Sequence, residues 1–99
     1  MKTKFQAVNF TATADLQEFA QRKTYKLHQF YSRIIEIDLK LRQQNHSDRI
    51  NKEAEILVSI PGDDISVRKI CKTFEEAVDS VSETAVRLLK RKKEKMRSA

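Results

Sequence analysis

The chain has 99 residues and a mass of 11.6 kDa, with 39% hydrophobic residues, 34% charged residues and a net charge of +6, which fits one small basic domain. The single cysteine excludes an internal disulfide, the single glycine excludes glycine-rich phosphate loops, and two histidines are too few for a zinc site without carboxylates. No apolar run is long enough to span a bilayer, and the first ten residues lack the apolar stretch of a secretory signal. We therefore expect a soluble, cytoplasmic single domain over residues 1–99.

The first predicted elements are a short strand and an amphipathic helix. Residues Lys4–Phe10 are mixed and β-prone, which favours a strand. Thr13 is a suitable N-cap, because its side-chain oxygen can accept a hydrogen bond from an open backbone N–H of the first turn. Apolar residues then recur at helical spacing, so the pattern predicts a helix from about Ala14 to Tyr31.

Three more strands are predicted, joined by short turns. Alternation is clean in the second strand, whose inward side chains are Ile35, Ile37, Leu39 and Leu41. The third strand has inward side chains at Ala54, Ile56, Val58 and Ile60, with Leu57 breaking the pattern on the exposed face. A turn at 61–64 contains the only proline and the only glycine. The fourth strand covers Ile65–Lys72, and Arg68–Lys69 blurs its alternation in a way compatible with a bulge.

The last predicted element is a long helix with a capping box. Thr73 is the N-cap and Glu76 follows three residues later. One apolar stripe is formed by Phe74, Ala77, Val78, Val81, Ala85, Leu88 and Leu89. Lys92 occupies the next stripe position, so we expect the helix to leave the core there and to continue as a basic tail from about residue 90.

The predicted order of elements is β-α-β-β-β-α, which indicates an α+β fold. The first β-α-β unit is long enough for a crossover between parallel strands, and the last three strands form an antiparallel meander. Each helix has one apolar face. We therefore expect a four-stranded mixed sheet with two helices packed on one face.

The positive charge is concentrated near the end of the chain. Between Arg87 and Arg97, seven side chains are basic and only Glu94 is acidic, so this segment alone accounts for the net charge of +6. Cations that complement the helix dipole are the alternative explanation, but two or three would be enough for that role. The excess favours a polyanionic partner.

Basic residues of the two predicted helices are the candidate binding site. If the helices pack side by side, their basic rows flank one groove that suits a phosphate backbone. Lys23 falls inside the apolar arc, so it either passes the edge of the core or points at the partner. Two ordinary solvated helix faces remain the alternative. The candidate RNA-binding residues are Arg22, Lys23, Lys26, Arg33, Arg87, Lys90, Arg91, Lys93, Lys95 and Arg97.

The remaining reactive or aromatic residues are interpreted without a catalytic role. Cys71 is expected to be a partly buried small residue, and His28 and His46 to be plain surface residues. Tyr25 and Tyr31 could stack on bases, although Tyr31 is more typical of the core edge. No pair of nucleophile and base, metal site or phosphate cradle is present, so we expect neither an enzyme nor a cofactor.

Motifs along the whole chain resemble the ribosome hibernation promoting factors, also called ribosome-associated inhibitor, protein Y or sigma-54 modulation proteins. The first-helix motif is carried by Lys23, Lys26, Leu27, Phe30, Tyr31, Arg33 and Ile34, and the hairpin motif by Ile60-Pro61-Gly62. The last-helix motif is carried by Val78-Asp79, Arg87, Leu89, Lys90, Arg91, Lys93, Glu94 and Lys95. The chain departs from the family pattern at residues 73–77, at Ile70 and at Thr84. It ends at Ala99, as in a short form of the family.

The resemblance implies a fold like that of double-stranded-RNA-binding domains. It also implies binding of ribosomal RNA on the small ribosomal subunit, in the channel used by messenger and transfer RNA. Translation would be blocked and idle ribosomes preserved under stress, in starvation or stationary phase. Because the mechanism is occlusion, no cofactor, membrane or small-molecule substrate is implied; a second hibernation factor is left open as a further partner.

Two other functions remain as alternatives. A free duplex-RNA binder would use minor-groove and phosphate contacts, but it usually presents its cations at a helix N-terminus, whereas here they are C-terminal. A protein-interaction module that modulates transcription would bind an isolated protein with little dependence on salt.

Overall fold

The computed structural model describes residues 2–44 and 50–97, with the backbone alone for residues 95–97. The predicted surface position of His46 lies outside the described residues. The elements follow the predicted order and are β1 (Lys2–Val8), α1 (Ala14–Phe30), β2 (Glu36–Gln43), β3 (Lys52–Ile60), β4 (Asp63–Cys71) and α2 (Phe74–Arg97).

The four strands form one mixed sheet in the order β1-β2-β3-β4, with β1 parallel to β2 and the other neighbours antiparallel. Pro61 and Gly62 alone connect β3 to β4, and Gly62 has a φ of +79°, which glycine adopts without steric cost. The predicted bulge is wrong. Arg68 pairs with Glu55 and Lys69 with Ala54 in an unbroken register, so Lys69 simply occupies an inward-facing position of a regular strand.

The inner face of the sheet carries the core, as the alternation predicts. Ile37, Leu41 and Ile56 are completely buried. Ile35 was expected to join them but is 58% exposed, because β2 begins only at Glu36 and the preceding Ile34 turns into the core instead. β1 begins and ends two residues before the predicted strand.

Both helices begin at the predicted caps. The Thr13 hydroxyl accepts a hydrogen bond from the Leu16 N–H at 3.1 Å, and the Thr73 hydroxyl accepts one from the Glu76 N–H at 3.1 Å. α1 ends at Phe30, one residue before the predicted end. Within the described ranges, no helix is long and apolar enough to cross a membrane.

The two helices run parallel on the inner face of the sheet. The Phe10 and Phe74 rings stack at 4.2 Å just before α1 and at the start of α2, and Phe30 at the end of α1 meets Lys93 near the end of α2. α2 lies on β3 and β4, and α1 packs beside it toward β1. As a result, the C-terminal ends of both helices point the same way.

His28 is buried, which corrects its predicted surface position. Only 6% of the residue is exposed, and Nε2 lies 3.0 Å from the Thr3 hydroxyl of β1. The flank of α1 that covers β1 carries His28 and the buried Thr24. The buried face of α1 therefore includes polar residues and is wider than the face formed by its apolar residues. This burial lowers the pKa of His28 below its ordinary value of 6.5, and the positive charge of the amino terminus lowers the pKa further. Cys71 is a partly buried free thiol, as predicted.

Candidate nucleic-acid interface

A solvent-facing groove lies between α1 and α2, and we call it the interhelical groove. Its first part is a cavity of about 140 Å³ lined by Lys23, Lys26, Leu27, Asp79, Ser82, Glu83 and Val86. Its second part, nearer the C-terminal ends of the helices, is a cavity of about 190 Å³ lined by Phe30, Lys90, Lys93 and Glu94. The lining residues recur every three or four positions because side chains at that spacing share one face of a helix.

The charge of the groove changes along its length. In the first part, Lys23 is half-buried and its Nζ lies 2.6 Å from Asp79 Oδ1. The two predicted orientations, past the edge of the core or toward a partner, did not include this ion pair with the facing helix. Lys26 there is balanced by Glu83 on the facing helix. In the second part, Lys90 and Lys93 face a single carboxylate. The groove is therefore close to neutral at one end and positive at the other.

Aromatic rings hold several of the cations. Arg22 and Lys23 lie over the ring of Phe19, at 5.9 and 5.4 Å from its centre. Lys93 lies 5.3 Å from the centre of the Phe30 ring. Such contacts attract a cation to the ring face and restrict its side chain while the charge stays at the surface. Cations held in this way lose less conformational freedom when they bind an anion.

The second side of α2 faces the β3–β4 hairpin, away from α1. A cavity of about 710 Å³ on this side is lined by Asp63, Asp64, Ile65, Leu88, Arg91, Lys92 and Glu94. Lys92 forms an ion pair with Asp63. Among the described residues of α2, Leu89 is the last buried one, and beyond it the partly buried Lys92 links the helix to the hairpin.

The structure divides the predicted binding residues between several surfaces. Lys23, Lys26, Lys90 and Lys93 line the interhelical groove. Arg91 lies on the hairpin side of α2. Exposed positions elsewhere are occupied by Arg22 on the outer face of α1, Arg33 beyond its end, and Arg87, whose Nη2 donates to the Thr84 hydroxyl at 3.2 Å. Lys95 and Arg97 belong to the α2 backbone, and their side chains lie outside the described residues.

Sequence reasoning missed the groove's aromatic and acidic members. Phe19 and Phe30 were not considered as partners of cations, although each lies under one. Asp79 and Glu83 were not considered as neighbours of Lys23 and Lys26. Their helical spacing places each set on one face of its own helix. The parallel pairing that brings the two sets together depends on the tertiary packing.

The outer face of the sheet carries charges of both signs. Lys4 Nζ lies 3.2 Å from Glu36 Oε1, and Arg68 lies 2.7 Å from the buried Glu53. Lys40 and Arg42 stand opposite glutamates of β3 in the strand register. Because opposite charges alternate across this face, it attracts a polyanion less than the positive end of the interhelical groove does.

Solved structures share this fold. A ribosomal subunit interface protein from Coxiella burnetii matches with a TM-score of 0.79 and 15% sequence identity, over 94% of this chain and 98% of that one. The N-terminal domain of Protein Y from Thermus thermophilus matches with a TM-score of 0.76 and 18% identity, over 92% of this chain and 98% of that one. No curated protein sequence matches the chain. The family model described as sigma 54 modulation protein / S30EA ribosomal protein matches residues 3–97, nearly the whole chain, and the chain belongs to that family.

Proposed function

We propose that this protein is a ribosome hibernation factor that inhibits translation under starvation or in stationary phase. It binds ribosomal RNA of the small subunit through the positive end of the interhelical groove and the basic end of α2. Bound there, it occludes the channel for messenger and transfer RNA. Its action is steric, so it needs no cofactor, and it works in the cytoplasm with the ribosomes.

The position of Lys90 and Lys93 is the observation that carries this proposal. Both side chains are exposed at the positive end of the groove, directly after the last buried residue of the α2 stripe, Leu89. They contribute little apolar burial, so their charges are available to a partner. Cations that neutralise RNA phosphates release condensed counterions, which drives binding of this kind.

The comparisons support the ribosome as the polyanion. The family description names a ribosomal protein, and one protein with the same fold is described as a ribosomal subunit interface protein. An occluding protein must also resist deformation. The inner sheet face, α1 and α2 share one buried core, which makes the body a rigid obstacle.

The test is co-sedimentation of the protein with isolated small subunits. Changing Lys90 and Lys93 together to Glu replaces two attractions with two repulsions, so most of the bound fraction should be lost while the melting curve is nearly unchanged. The matched control changes Lys40 and Arg42 to Glu, which also reverses two cations but on the outer face of the sheet. This control should retain most of the binding.

The outcomes separate the proposal from its alternatives. Greater loss for the Lys40 and Arg42 variant would place the interface on the sheet. If neither double variant changes binding, and binding does not depend on salt concentration, RNA binding would be excluded. The interaction module that modulates transcription would then be favoured. Equal affinity for free duplex RNA and for small subunits would favour the duplex-RNA binder.

A further inference from the structure

Tyr25 is an exposed aromatic residue on the outer face of α1. Its exposure of 59% is the highest among the large hydrophobic side chains that the structure describes. The second tyrosine, Tyr31, is only 5% exposed and packs in the core. Of the two aromatic candidates for base stacking, Tyr25 alone is therefore accessible to a partner.

The neighbours of Tyr25 are polar or basic. Gln21 lies four residues before Tyr25, Arg22 three residues before it, and Gln29 four residues after it. All three are exposed. Side chains at these spacings are direct neighbours on a helix surface. The sequence from Phe19 to Ile35 contains no acidic residue. The exposed neighbours one turn from Tyr25 are thus amides and a guanidinium group, and none of them is a carboxylate that would repel a phosphate.

This combination of side chains suits an unpaired nucleobase. An aromatic ring can stack on any base, and single-stranded RNA is commonly recognised through such stacking. Glutamine has both donors and acceptors and can bind the edge of a base. Arg22, one turn before Tyr25 on the same surface, is placed to contact a phosphate next to that base. A base inside a duplex is already stacked on both faces, so the surface favours a base that is unpaired.

We propose that Tyr25 is a stacking platform for an unpaired base of ribosomal RNA, with Gln21 and Gln29 binding the edge of that base. The inference rests on the proposed function and adds a second contact to it. The RNA would bind the positive end of the groove and also cross the outer face of α1. Tyr25 then contributes selectivity for single-stranded RNA, which the lysines do not.

The first test compares the affinities of three variants for small subunits. Tyr25→Ala should bind about tenfold more weakly, as expected for the loss of one base stack. Tyr25→Phe keeps the ring and should bind almost like the wild type. Ile70→Ala removes an exposed apolar side chain from the outer sheet face and serves as the matched control. Equal binding by Tyr25→Ala and the wild type would overturn the inference.

The second test uses fluorescence of Tyr25→Trp. The chain has no tryptophan, so emission would report on this position alone. A single-stranded oligoribonucleotide and small subunits should both quench the emission, and a duplex of the same length should not. Two outcomes would refute the stacking platform but leave the proposed function intact. One is unchanged emission from a variant that still co-sediments with small subunits, and the other is equal quenching by the duplex. If the wild type does not co-sediment at all, the proposed function fails and the inference with it.

Discussion

The two parts of α2 differ sharply although they form one continuous helix. In the first part, 74–89, the apolar stripe has side chains with no exposed surface, among them Val81 and Leu89. In the second part, 90–97, basic side chains follow one another and the described ones mostly face solvent. The change occurs between Leu89 and Lys90. The segment that is proposed to bind therefore directly follows the segment that folds into the core, and the two can be changed separately.

The largest expected effect is on the first part. Leu89→Ala should lower the free energy of unfolding by about 2–5 kcal/mol, because the residue is fully buried and its truncation leaves a cavity. A denaturant titration measures this loss. Leu88 is the matched control, since it is the neighbouring leucine but only partly buried. A loss for Leu88→Ala as large as that for Leu89→Ala would contradict the burial pattern of the stripe.

The second expected effect is on binding by the second part. Changing Lys90 and Lys93 together to Ala should alter the free energy of unfolding by no more than about 1 kcal/mol, because both side chains are exposed and the change removes only the contact of Lys93 with the Phe30 ring. The slope of log affinity for small subunits against log salt concentration should fall by about 2, since each lysine that contacts a phosphate contributes about 1. An unchanged slope would mean that these lysines make no phosphate contact. Changing Lys40 and Arg42 to Ala is the control.

The third expected effect is a dependence of folding stability on pH, which arises in the body of the protein at His28 and not at the basic end of α2. The pKa of His28 is lowered in the folded protein, so the unfolded chain binds a proton more readily. The stabilisation is fully present above the ordinary pKa of 6.5 and is lost as the pH falls from there through the folded pKa. Thermal melts between pH 7.5 and pH 5 should show this loss. It should be smaller in His28→Gln, which cannot take up the proton; an identical pH profile would exclude His28 as the cause.

The smallest expected effect is at the contact between the second part of α2 and the hairpin. Lys92→Ala removes the ion pair with Asp63 and should cost about 0–1 kcal/mol, because both partners are partly exposed to solvent. Salt should reduce the difference from the wild type. Arg91→Ala, which removes the neighbouring cation, should change the free energy of unfolding less. A loss above about 2 kcal/mol for Lys92→Ala would show that this contact belongs to the folding core.

Local patterns in the sequence were sufficient to predict most of the fold. The alternation around Leu39 and Ile56 identified the inner face of the sheet, and Thr13 and Thr73 identified the starts of both helices. These features depend on backbone periodicity and on hydrogen bonds within a few residues. Both are properties of a short segment and are therefore visible in the sequence.

The candidate site could be predicted only in part, because its geometry depends on how the elements rotate against each other. Lys90 and Arg91 were both expected to flank one groove, but α1 lies on one side of α2 and the hairpin on the other, so the two cations face different surfaces. His28 was misplaced for the same reason. Helical spacing in the sequence does not distinguish the flank of α1 that covers β1 from the flank that faces solvent.

The shape of the molecule has a consequence for the rate at which it finds its partner. The protein measures 48 × 23 × 18 Å, and its excess positive charge is located at one end of the long helix. Such an asymmetric charge gives the molecule an electrical polarity that orients it in the field of a polyanion before contact. Encounters would then begin with the C-terminal end of α2. Salt should therefore slow association more than it speeds dissociation.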